Sequence, residues 1–132
     1  MKSKTQWISG YKSILSDDRG HEYIVDLPTG ANGEDMGTTA LELCAMTFGG
    51  CVSTIFAMVA KKMRLTFSEM EVDVDAVKAE GTIAEVSYVF TIKTDDDKDK
   101  IIKCLEMTEQ TCPIGILFRK ASVAIKHEIV FK

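Results

Sequence analysis

The sequence has little proline, only two histidines and no surplus of positive charge. Two prolines in 132 residues exclude a proline-rich linker protein. Sixteen Lys and Arg stand against 20 Asp and Glu, a formal net charge of -4. Without a basic face, nucleic acid is not an expected partner. Four cysteines, none in a CxxC pair, are too few for a disulfide scaffold and wrongly spaced for structural zinc. The N-terminal MKSKTQWISGYKS holds no apolar run before a small-residue cleavage site. The most apolar stretch, residues 40–60, is broken by Glu42, Thr47, Gly49, Gly50, Ser53 and Thr54, so it reads as a buried helix and not a membrane span. These absences set an expectation of a cytoplasmic protein with reduced thiols, no metal or cofactor, and no membrane partner.

What is present is ordinary for one globular domain over residues 1–132: 45% hydrophobic and 27% charged residues. Thr5–Leu15 and Glu22–Leu27, around the turn signal Asp17-Asp18-Arg19-Gly20, read as a hairpin. Residues 28–38, PTGANGEDMGT, form a loop. Thr39 and Glu42 have capping-box spacing and open a helix that is apolar nearly all round, from Leu43 to Val59. Gly49-Gly50 inside it points to a kink or to the close approach of another backbone. Met70–Val77 alternates strictly, with Glu71, Asp73 and Asp75 on the polar side, and Ile83–Ile92 reads as its antiparallel partner. Asp95–Asp99 opens a second helix, Cys112-Pro113 ends it and starts a short third one over Pro113–Lys120, and Ser122–Phe131 is the last strand. The order β-β-α-β-β-α-α-β predicts an α+β fold with an antiparallel sheet.

Two signatures carry more. ALELCAMTFGGC (40–51) places Cys51 inside the apolar helix, and TCPIGILF (111–118) places Cys112 before a proline at a helix start. Together they resemble the OsmC/Ohr family, over most of the chain from Trp7 to Phe131. The resemblance implies antiparallel sheets wrapped around long central apolar helices in an intertwined homodimer. It implies reduction of small-molecule organic hydroperoxides, with Cys51 as the peroxidatic thiol and Cys112 as the resolving one. Recycling by a dithiol reductant such as a lipoyl protein goes with it. The family also places a glutamate, paired with an arginine, ten residues before the first cysteine. That position is Leu41 here, with Glu42 one residue later and already accounted for by the capping box. Arg19 is the only N-terminal arginine, and the long loop holds none. Glu42 and Arg19 are therefore the candidates for supporting the thiolate.

The chemistry of a cysteine pair agrees with this. A thiolate is the nucleophile, its attack on a peroxide gives a sulfenic acid, and a second thiol condenses with that to a disulfide. Cys112 at a helix N-terminus is expected to have a lowered pKa. Cys44 and Cys104 read as core residues, and His21 and His127 as strand residues. The alternative is a non-catalytic protein of the same fold that binds a small hydrophobic ligand, motivated by Leu41 and the missing arginine. A structural dimer module is a third possibility. The helix is too uniformly apolar for one chain of this length to cover, which also points to a dimer.

Overall fold

In the computed structural model, which describes all of residues 1–132, a tight turn at Gly10-Tyr11 splits the first expected strand into β1 (Ser3–Ser9) and β2 (Lys12–Asp17). Gly10 takes a φ of 50°, a left-handed conformation that suits glycine and closes a two-residue hairpin. With β3 (Glu22–Val25) the hairpin becomes a three-stranded antiparallel sheet in the order β1-β2-β3. This sheet belongs to the first of two compact units, Met1–Cys44 and Ala45–Lys132.

The loop after β3 is held by one carboxylate. Asp26 is 4% exposed and accepts the backbone N–H groups of Leu27 at 2.8 Å and of Glu34 and Met36 at 3.2 Å. Burial raises its pKa, but the three N–H donors outweigh burial and leave the carboxyl below its ordinary value. Gly33 makes the fold-back possible, because a Cβ there would lie 1.8 Å from the Leu27 carbonyl oxygen.

Helix α1 (Ala40–Met63) begins with the expected capping box. The Thr39 N–H donates to Glu42 Oε2 at 2.7 Å, and the Glu42 N–H donates to Thr39 Oγ1 at 3.2 Å. Twenty-four residues carry it about 36 Å without a break. Only Gly49 serves close approach, since a Cβ there would meet Val74 Cγ2 at 3.0 Å; a Cβ on Gly50 would meet nothing within 4 Å, and the helix runs through both without a kink. Phe48, Gly49, Val52, Phe56, Val59 and Ala60 are buried, while Met46 and Met58 on other faces are more than half exposed. By length and composition α1 could cross a membrane, and one third of its apolar window is buried within the chain.

In the second unit, β4 (Glu69–Ala79) and β5 (Thr82–Lys93) pair antiparallel, with Met70, Val72, Val74 and Ala76 on the covered face as the alternation requires. The chain then forms α2 (Lys98–Thr111), capped by Asp97, and α3 (Pro113–Lys120) before β6 (Ala124–Phe131). Here the expected all-antiparallel sheet is corrected: β6 runs parallel to β5. The reason is the connection. Two helices between β5 and β6 return the chain to the end at which β5 began, and a long helical crossover joins parallel neighbours.

The core of this unit is aromatic and aliphatic. Phe56 packs on Phe90 at 4.6 Å and on Phe67 at 5.7 Å between ring centroids. Ile101, Cys104 and Leu105 seal it from α2. The α+β class stands, with three helices and two three-stranded sheets.

Candidate functional site

Cys51 and Cys112, 61 residues apart in sequence, meet with their sulfurs 2.9 Å apart. None of the four cysteines is in a disulfide. Local rules place each sulfur. Cys51 lies on α1 three residues beyond Phe48, whose ring stacks on Phe118 of α3 (5.5 Å, 8° between planes) and meets Tyr88 of β5 edge-on at 5.5 Å. That aromatic contact pins α1 against α3 beside the pair. Cys112 closes one helix and opens the next. Its N–H donates to Thr108 O at 2.7 Å, Pro113 takes the first position of α3, and its Sγ accepts the Gly115 N–H at 3.4 Å.

The two thiols differ in access. Cys112 is 1% exposed, whereas Cys51 is partly open to solvent. The expected lowering of the Cys112 pKa is not found. Burial pushes its thiol up to about 11, the hydrogen bond to Cys51 adds to this, and the Gly115 and Ile114 N–H groups only partly oppose it. Desolvation outweighs the helix N-terminus, so Cys112 remains a thiol and donates to Cys51. Cys104 is fully buried with Sγ 3.9 Å from Phe56 O, and burial raises it to about 11. Cys44 is half-buried.

Glu42 and Arg19 are each engaged locally. The Glu42 carboxylate belongs to the Thr39 capping box, which lowers its pKa. The exposed Arg19 guanidinium holds Asp17 Oδ2 at 3.0 Å across its turn.

A polar cluster unforeseen in the sequence lies on the Cys112 side. Glu109 Oε1 accepts Tyr88 O–H at 2.6 Å and faces His127 Nδ1 at 2.9 Å. Arg119 Nη2 donates to the Glu109 carbonyl at 2.6 Å. Tyr88 is 2% exposed, and burial together with the Glu109 carboxylate drives its pKa upward, so it stays a donor. Tyr88 and His127 are directly opposite each other on β5 and β6. Only the parallel pairing sets that register.

The fold has counterparts among solved structures. An OsmC-like protein from Mycoplasma pneumoniae superposes with a TM-score of 0.88 at 11% identity, covering 98% of this chain and 95% of its own. The organic hydroperoxide resistance protein OhrB of Bacillus subtilis is similar with a TM-score of 0.66 at 22% identity, covering 98% of both chains. The organic hydroperoxide resistance protein OsmC of Legionella pneumophila gives 0.72 at 12% identity, covering 98% and 97%. At such identities the likeness establishes the fold. No curated protein matches the sequence. The family model for OsmC-like proteins matches residues 33–128, most of the chain and both cysteine signatures. This chain therefore belongs to the OsmC-like protein family.

Proposed function

We propose that this protein reduces organic hydroperoxides through Cys51 and Cys112. The observation that carries the proposal is one accessible sulfur in contact with one buried sulfur, 2.9 Å apart. Cys51, as thiolate, attacks the terminal oxygen of the hydroperoxide. The O–O bond breaks, Cys51 becomes a sulfenic acid, and the alkoxide takes a proton and leaves as the alcohol. The Cys112 thiol then attacks the Cys51 sulfur and gives its proton to the hydroxide that departs, which leaves as water. The pair closes to a disulfide whose S–S bond is about 2.05 Å long. A dithiol, a lipoyl protein by family analogy, would return both thiols. A reducing compartment, the cytoplasm, suits such a cycle.

The uncovered faces of α1 support a homodimer in which a second copy covers Met46 and Met58. A sedimentation mass of one chain would count against that.

Counting free thiols before and after one equivalent of cumene hydroperoxide tests the function. Two are lost in the native chain, and Cys51→Ser abolishes the loss of both. Loss of no thiols, or unchanged loss in Cys51→Ser, refutes the proposal.

A further inference from the structure

A Cys51–Cys112 disulfide is hard to reopen in these surroundings. Reduction requires a thiolate to attack one sulfur while the other departs as thiolate, and a leaving thiol of low pKa departs faster. Solvent reaches Cys51, so Cys112 is the sulfur that must leave, and it is 1% exposed. Its two backbone donors do not offset that burial.

One cation borders the space that the sulfur faces. A Cβ built on Gly115 would lie 3.6 Å from Cys112 Sγ and 3.5 Å from Arg119 Nη1. The missing side chain of Gly115 therefore leaves the guanidinium and the sulfur against the same small space. Arg119 is also held there by Nη2 on the Glu109 carbonyl. Glu109 is in turn fixed through its carboxylate to Tyr88 of β5 and His127 of β6. The groups near Cys112 are thus Cys51 from α1, Tyr88 from β5 and, across the Gly115 space, Arg119 from α3, while Glu109 binds Tyr88 and faces His127. Arg119, on the exposed side of α3, is the cation that borders the same small space as the sulfur.

We infer that Arg119, anchored on Glu109, is a positioning residue that stabilises the Cys112 thiolate as it leaves the disulfide. The inference rests on the Cys51–Cys112 pairing proposed above. In the step, one thiolate of a dithiol forms a bond to Cys51 Sγ. The Cys51–Cys112 bond breaks, and its electron pair goes to Cys112 Sγ beside Arg119. Cys112 takes the proton of the dithiol's second thiol. That sulfur attacks the mixed disulfide, expels Cys51 as thiolate and leaves as the oxidised dithiol. Two electrons pass from the dithiol to the protein.

The test closes the disulfide in the full chain with diamide, so no peroxide is involved, and follows its reduction by dithiothreitol. Arg119→Met is expected to slow reduction about threefold at pH 7, and Arg119→Lys to restore most of the rate. In a Cys51→Ser background, the Cys112 titration read from thiolate absorbance moves up by about 1 in Arg119→Met and little in Arg119→Lys. Gly115→Ala, which places a methyl 3.5 Å from the guanidinium and 3.6 Å from the sulfur, slows reduction too, but by less. Equal reduction rates in the native chain and Arg119→Met, with the titration unmoved, overturn the inference. So does a chain in which diamide fails to join Cys51 to Cys112. Failure of the peroxide reaction alone leaves these readouts intact and refutes only the hydroperoxide function.

Discussion

Every buried hydrophobic side chain, from Phe48 to Val123, lies in Ala45–Lys132, while the one buried residue of Met1–Cys44 is the carboxylate Asp26. The C-terminal unit is organised by apolar packing around Phe56. The N-terminal unit is organised by backbone hydrogen bonds, tight turns and a charge that gathers three N–H donors. Its large apolar groups, Trp7, Tyr11 and Tyr23, are each more than half exposed. A sheet that buries so little of its own apolar surface is a marginal structure alone. The contrast shows where reactivity can be held steady: the cysteine pair sits in the unit that has a core.

The largest effect expected from breaking this contrast is in the core. Phe56→Ala removes a ring that is fully buried and should cost about 3–5 kcal/mol in chemical denaturation. An effect below about 1 kcal/mol would mean the core is not where stability resides. Gly33→Ala should cost about 2–3 kcal/mol, because the Leu27 carbonyl occupies the place of the new methyl. Amide exchange should show the loss in residues 26–38, with β4 and β5 still protected.

Acid should separate the two units next. The Asp26 pKa is depressed in the fold, so its contribution is complete above the unfolded value and is lost as pH falls through the folded one. Protection of the 26–38 loop should therefore decline below about pH 4, and Asp26→Asn should flatten that decline. A loop whose protection does not change between pH 5 and pH 2 would remove Asp26 from its role. The smallest effect belongs to Trp7→Ser, which should change the stability of the isolated chain by less than about 0.5 kcal/mol.

Much of the C-terminal unit was legible because its signals are local. The alternation of Met70–Val77 set the faces of β4, and Cys112-Pro113 marked a helix junction that the structure contains. The capping box at Thr39 and Glu42 was equally local. What escaped depended on distant partners or on one backbone angle. Gly10 turns the chain within what reads as a continuous strand. The parallel seating of β6 is fixed by the crossover, and without it nothing places His127 opposite Tyr88 or joins both to Glu109. The Cys112 pKa went the other way from expectation because burial, invisible in a helix-start motif, outweighs two N–H donors. Arg119 looks like a helix-end cation in sequence; the fold ties it to the Glu109 carbonyl and sets it at the edge of the Gly115 space that the sulfur shares.

The central claim is that Cys51 and Cys112 act as one redox pair. Mass-spectrometric mapping of the native chain after one equivalent of cumene hydroperoxide tests it most directly. The account predicts a single disulfide-linked peptide pair joining Cys51 to Cys112, with Cys44 and Cys104 still alkylatable after unfolding. Oxidation at Cys44 or Cys104 with the Cys51 and Cys112 thiols intact would contradict it.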